Sequence, residues 1–117
     1  MQKILKIDNK DVGFKTSALT VRLYRKHFGR DFIVDIDRLR LNVSKAGSDE
    51  ESRLDALDLE IFENVAWIMA KQYDPTIPDT PEDWLDSFEF FGIVEISPEI
   101  IELWAENERT TSTAKKN

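Results

Sequence analysis

Ser52-Arg53-Leu54-Asp55-Ala56-Leu57-Asp58-Leu59-Glu60-Ile61-Phe62-Glu63-Asn64-Val65-Ala66-Trp67-Ile68-Met69-Ala70-Lys71-Gln72-Tyr73 decides the fold. At 100° per residue, Leu54, Leu57, Ile61, Val65 and Ile68 fall on one face, and Phe62 and Met69 widen it. The spacing predicts a helix over residues 52–73 whose apolar stripe is the centre of the core. Trp67 falls on the other side, in company with Glu60, Glu63 and Lys71. A large aromatic residue there is either covered by another segment or offered to a partner. The connection that starts at Asp74 is placed to cover it. Phe90 poses the same question, because Phe88 and Phe91 can share a buried face with Trp84 whereas Phe90 cannot. Trp67, Phe90 and the edge residues Tyr73 and Trp84 are therefore the candidate partner contacts.

Towards the N-terminus, Lys3-Ile4-Leu5-Lys6-Ile7 and Val12-Gly13-Phe14-Lys15 flank the turn formers Asp8-Asn9-Lys10-Asp11, which reads as a β-hairpin. Thr16 or Ser17 can cap a helix running to Phe28, with Gly29 as its C′ residue. That helix carries Leu19, Leu23, Lys26 and Phe28, and leaves Arg22, Arg25 and Arg30 to project outward. Asp31 restarts a helical pattern with Phe32, Ile33, Ile36, Leu39 and Val43 on one face. Ser44-Lys45-Ala46-Gly47-Ser48-Asp49-Glu50-Glu51 is a polar, glycine-containing linker.

Towards the C-terminus, Pro75, Pro78 and Pro81 stiffen an extended connection. Thr80-Pro81-Glu82-Asp83 is a helix start, with a capping Thr, Pro at the first helical position and acids against the dipole. The helix it opens carries Trp84, Leu85, Phe88 and Phe91, and Gly92 ends it. Ser97-Pro98-Glu99 repeats the signal for a last helix through Ile100, Ile101, Leu103 and Trp104. The fold class is mainly α (α+β), a short N-terminal hairpin followed by a bundle of four to five helices. Residues 1–109 form one domain and 110–117 a disordered polar tail.

The 117 residues carry 16 Lys+Arg and 23 Asp+Glu, a formal net charge of −7. Cut at Ala46, the halves differ sharply: residues 1–46 hold 11 basic and 5 acidic side chains, and residues 47–117 hold 5 and 18. The chain is electrically two-ended, which suits attraction between the two halves of one domain. Absence of Cys removes disulfides, thiolate metal sites and cysteine nucleophiles, and the single His cannot form a metal-holding pair. No run of about 18 apolar residues suggests a membrane span, and Met1-Gln2-Lys3-Ile4-Leu5-Lys6 lacks the apolar stretch of a signal peptide. The expectation is a soluble, intracellular protein.

Catalytic chemistry finds few candidates. His27 lies within Arg25-Lys26-His27-Phe28 and reads as a surface or helix-end residue. Asp55 with Asp58, and Asp83 with Asp86, share helix faces and read as solvated acids rather than paired catalytic carboxylates. The four glycines are isolated, so no phosphate-binding loop is present. The expectation is a protein that is not an enzyme and uses no metal or cofactor. Arg22, Arg25, Lys26 and Arg30, with Tyr24 among them, form a basic surface compatible with a small nucleic-acid-binding regulator. The acidic second half opposes that reading.

Three strings, Leu23-Tyr24-Arg25-Lys26-His27-Phe28-Gly29-Arg30-Asp31, Phe62-Glu63-Asn64-Val65-Ala66-Trp67-Ile68-Met69-Ala70-Lys71 and the stretch from Asp74-Pro75-Thr76-Ile77-Pro78 to Ser87-Phe88, closely resemble the tail assembly chaperones of long-tailed phages and prophages of Gram-positive bacteria. The likeness covers nearly the whole chain, from the hairpin to Trp104. It implies a non-catalytic protein of the host bacterial cytoplasm, absent from the mature virion. Such a protein binds the tape measure protein, keeps it soluble and helps major tail tube subunits polymerise around it. It also implies a longer product made by programmed frameshifting, and Lys115-Lys116 is compatible with the A-rich codons where slippage occurs. The opposite charges of the halves suit head-to-tail self-association into oligomers or spirals. A structural tail subunit is a further alternative.

Overall fold

The computed structural model describes residues 1–46 and 55–116. Strands β1 (Gln2–Ile7) and β2 (Lys10–Lys15) pair antiparallel, with Leu5 opposite Val12 and Ile7 opposite Lys10. A two-residue turn joins them, Asp8 at φ 53° and Asn9 at φ 67°. Positive φ at both positions gives the twist that suits a tight hairpin, and Asp and Asn tolerate it better than most residues. Leu5, Ile7 and Phe14 form the buried face, and Ile4 points away from it.

Helix α1 (Ala18–Phe28) begins at Ser17, whose hydroxyl accepts from the Leu19 N–H at 3.2 Å while Thr20 Oγ1 accepts from the Ser17 N–H. Gly29 closes it at φ 65°, a left-handed conformation that glycine adopts without a Cβ penalty. Helix α2 (Phe32–Ala46) starts on the Asp31 carboxylate, which accepts from the Ile33 and Val34 N–H groups. Phe32, Ile36 and Leu39 are buried, whereas Ile33, expected on the same face, is exposed. The predicted linker begins inside α2, which runs through Ser44–Ala46. The rest of it, with Leu54 and the predicted helix start at Ser52, lies outside the described residues.

Helix α3 (Ala56–Tyr73) opens on an Asp55–Asp58 capping box and carries the core. Ile61, Phe62, Val65, Ala66, Trp67, Ile68, Met69 and Ala70 are all buried. Six consecutive buried residues, 65 to 70, mean that the helix is enclosed on every side rather than along one stripe. Strand β2 and helices α1, α2 and α4 supply the enclosure. Leu57 departs from the prediction by lying exposed near the helix start.

The helix predicted from Pro81 to Gly92 is two helices of five residues each, α4 (Pro81–Leu85) and α5 (Phe90–Val94). Thr80 caps α4 as expected, accepting from the Asp83 N–H. The break follows from the residues between. The Ser87 hydroxyl donates to the Trp84 carbonyl at 2.9 Å, and the Glu89 N–H goes to the Asp8 carboxylate of the hairpin turn at 2.7 Å instead of to a helical carbonyl. Gly92 therefore lies inside α5, packed against the Asp8 side chain, and Phe91 is exposed rather than buried with Trp84.

Helix α6 (Ser97–Lys116) packs Ile100, Ile101, Leu103 and Trp104 inward, and Trp104 meets Phe32 of α2 at a ring separation of 4.8 Å. The Ser97 hydroxyl donates to the Val94 carbonyl rather than capping. The helix continues to Lys116, through the tail for which the composition suggests disorder. Once a helix is nucleated, each further residue adds a hydrogen bond at small entropic cost.

Trp67 is 1% exposed and sits at the centre of this packing. Trp67→Ala should lower the unfolding free energy by about 3–5 kcal/mol, read as a shifted midpoint in denaturant titration of the variant against the parent chain.

Candidate partner-binding surface

The proline-containing connection folds back over α3. Lys71 Nζ donates to the carbonyls of Pro75 and Ile77 and to the Asp79 carboxylate, at 2.8, 2.7 and 2.7 Å. Beside it the Trp67 indole N–H donates to the Pro78 carbonyl at 3.0 Å. The connection thus covers Trp67, as its position after Asp74 suggests, and Trp67 is withdrawn from the candidate partner contacts. Trp84 is corrected in the same way: at 2% exposure it packs edge-on to Phe14 of the hairpin and to Phe88. Pairing the indole and the ammonium with carbonyls lets both be covered without unsatisfied polar groups.

Tyr73 and Phe90, the other two candidates, are exposed at 40% and 55%. The Tyr73 ring lies flush on Gly13 of β2, where any Cβ would collide with it. Glycine at that position is what allows the end of α3 to approach the hairpin so closely. Around Tyr73 runs an open groove of about 390 Å³ between the hairpin, the end of α3, the connection and α4 with the turn that follows it. Its apolar lining includes Ile4, Val12, Ile77, Trp84 and Phe88, and its charged lining is Asp11 and Asp74. Ile4 is half exposed at the edge. Phe90 lies beyond Phe88 on α5 and stacks edge-to-face with Phe91, ring centroids 5.4 Å apart, with Phe91 at 76% exposure. Sequence reading missed Ile4, Gly13, Ile77 and Phe91. For Ile4 a signal existed, since it falls out of phase with the Leu5 and Ile7 face of β1.

Asp74 holds its charge firmly. Its carboxylate accepts from the Thr76 hydroxyl at 2.6 Å and the Thr76 N–H at 3.0 Å, and these bonds keep its pKa below the usual carboxylate range. Asp79 is held low in the same direction by Lys71. Glu63 moves the opposite way: burial, and the neighbouring charge of Glu60, raise it.

The basic surface is divided. Arg22, Arg25 and Lys26 are exposed on α1, and Arg30, just beyond it, is exposed too but ion-paired. Its guanidinium grips Asp35 through two bonds, 2.7 and 2.9 Å, and the Tyr24 hydroxyl donates to the same carboxylate at 2.7 Å. This triad ties the end of α1 to α2 around Gly29, so Arg30 stays at the surface with its charge committed to Asp35. His27 sits at the end of α1 with its ring edge-on to Trp67 at 5.2 Å. Among the described residues no group of three or more His, Cys, Asp or Glu could hold a metal ion. Among them, too, no helix is long and apolar enough to cross a membrane.

Comparison with protein-family models, curated proteins and solved structures returns no match.

Burial pushes the Asp35 carboxyl upward, but the hydrogen bonds from Arg30 and Tyr24 and the charges of Arg30 and Arg38 outweigh it, so its pKa lies below normal. A depressed carboxyl contributes stability that is complete above its unfolded pKa, about 3.9, and is lost as pH falls through the folded value. Unfolding free energy should therefore hold steady from neutral pH to about 5 and fall below about 4. In Asp35→Asn the acid-side slope should be shallower and neutral stability lower by about 1–3 kcal/mol, measured by denaturant titration across pH.

Proposed function

We propose that this chain is a non-catalytic tail assembly chaperone of a long-tailed phage or prophage. It binds the tape measure protein, keeps it soluble and promotes polymerisation of tail tube subunits around it. It acts in the host cytoplasm, without cofactor, and is left out of the mature virion. The observation that carries this reading is an open apolar surface set in acid. Ile4 and Tyr73 are exposed in the groove, and Phe90 and Phe91 are exposed on α5. Residues 72–108, which supply Tyr73, the two Phe and most of the groove, contain eleven carboxylates and no Lys or Arg.

Such a surface suits a chaperone for a long apolar polymer. Burial at about 25 cal/mol per Å² gives modest affinity from a small patch, and many copies along one chain multiply it. The surrounding carboxylates keep the loaded complex in solution. Contact between copies belongs to the same reading. Arg22, Arg25 and Lys26 of one copy complement the acidic α4–α5 region of the next, a head-to-tail arrangement that builds spirals. So does a frameshifted longer product sharing this domain.

The competing reading, a nucleic-acid-binding regulator, rests on the three exposed cations of α1. With about three phosphate contacts, log K against log salt would have a slope near −3. DNA retention with that slope would favour it over the chaperone.

Co-expression with the neighbouring tape measure protein should raise the soluble fraction of that protein and recover the two together. Tape measure protein that is equally insoluble with and without this chain would end the proposal. The double change Phe90→Ser and Phe91→Ser should alter stability by no more than about 0.5 kcal/mol per site while reducing copurification severalfold, as measured by thermal melting and quantitative pull-down.

A further inference from the structure

The groove beside Tyr73 has a chemistry more specific than apolarity. Its walls are aromatic and aliphatic: Tyr73, Phe88 and Ile77, with Ile4 at the lip. The charged side chains that line it are carboxylates, Asp11, which pairs with Lys6 at 3.6 Å across the hairpin, and Asp74. Asp74 is fixed by two hydrogen bonds from Thr76 and points no donor of its own at the groove. An aromatic wall with an ionised rim attracts a cation that carries an apolar stem, because the ring faces and the carboxylates both favour positive charge.

The chain already shows this preference on the same wall. Lys10 Nζ stands 5.6 Å from the centre of the Phe88 ring and donates to the Ser87 carbonyl at 3.3 Å. Ser87 and Phe88 both line the groove. An ammonium therefore finds a ring face and a carbonyl at one end, while Tyr73 and the Asp74 carboxylate, on which the charge of Lys71 also acts, line the other. The wall supplied by residues 72–108 carries acids and no base, whereas the hairpin wall carries Lys3, Lys6, Lys10 and Lys15, so the preference for a cation belongs to the Asp74 end of the groove.

We infer that the groove formed by Ile4, Tyr73, Asp74, Ile77 and Phe88 binds a basic amphipathic segment of a partner protein, seating a lysine or arginine against Asp74 and Tyr73 with an apolar neighbour beside Ile4 and Ile77. This names the surface and the partner chemistry for the chaperone reading, and rests on that reading for the identity of the partner. About 390 Å³ accommodates a few side chains, not a folded domain. Segments of this type present one apolar stripe flanked by cations, so the lip at Ile4 and the rim at Asp74 meet complementary positions.

Two tryptophan-free peptides test it by calorimetric titration of the full chain: one of leucine and lysine at helical spacing, the other its leucine and glutamate counterpart. The lysine peptide should bind at least about tenfold more tightly. Ile4→Lys, at an exposed position that leaves the core untouched, should weaken the lysine peptide by about tenfold, and Asp74→Asn by about threefold. Thermal melting verifies that each variant is folded. Equal affinity for the two peptides, no binding of the lysine peptide, or unchanged affinity in both variants would overturn the inference. The tape measure co-expression separates the two levels. Rescue that survives Ile4→Lys and Asp74→Asn removes the groove and keeps the chaperone, whereas groove binding without rescue removes the chaperone and keeps the groove.

Discussion

Helix α3 cannot face water anywhere along its middle, and the rest of the molecule follows from that requirement. Residues 65 to 70 are buried without interruption, so no single partner layer suffices. Strand β2 lies along one side, α1 and α2 along others, and the proline-containing connection leads into α4 on the remaining flank. Helices α1 and α2 and the connection are fastened to α3 by polar contacts as well as by packing. The start of α1 is tied through Gln72, which accepts from Thr20 Oγ1 at 2.6 Å and donates to Ser17 Oγ at 2.7 Å. Helix α2 is tied through Asp58, which accepts from Arg38 and, at 2.7 Å, from Asn42. The connection is tied through Trp67 and Lys71. These bonds satisfy buried polar atoms and fix the rotation of each element about the central helix.

What could be read from the sequence was local. The hairpin, the caps at Ser17 and Thr80 and the left-handed Gly29 are decided by residues within one turn of each other. The enclosure of α3 is not of that kind. Glu60, Glu63 and Lys71 mark a polar face around Trp67, and only the folded chain shows that Lys71 serves to hold a covering segment in place. Buried Asp35 and Asp58 are equally silent in the sequence, because a carboxylate looks solvated until its partners from other helices arrive. The division of residues 81–94 into α4 and α5 depends on Asp8, some eighty positions away. The candidate surface was half legible. Tyr73 and Phe90 are exposed as expected, whereas Trp67 and Trp84 are core, since aromatic residues at irregular spacing do not reveal which of them a distant strand will cover.

The charge asymmetry is used only in part within the fold. Arg38 spans the two halves by pairing with Asp55 and Asp58, and Lys10 reaches the Ser87 carbonyl. Arg30, by contrast, is committed to Asp35 in its own half. Of these, only Arg38–Asp55 and Arg38–Asp58 are ion pairs that cross between the halves, and the first is exposed at both ends, where a pair contributes little; among the described residues attraction between the halves therefore rests chiefly on the buried Asp58. Asp79, Glu82, Asp83, Asp86, Glu89, Glu95, Glu99 and Glu102 are exposed around apolar side chains, and their main physical effect is on what approaches the molecule.

The bond between the Asp8 carboxylate and the Glu89 N–H links positions 81 residues apart. It clamps the hairpin turn to the segment that leads into α5, and thereby joins two walls of the groove. During synthesis the first wall exists early, because a hairpin closes within microseconds, whereas a ribosome adding about 5–20 residues per second takes several seconds to deliver the second. A nascent chain thus carries Ile4 and Gly13 with no Tyr73, Ile77 or Phe88 opposite them. The groove therefore closes only after the segment up to Glu89 has been made, and until then the early hairpin offers one wall alone.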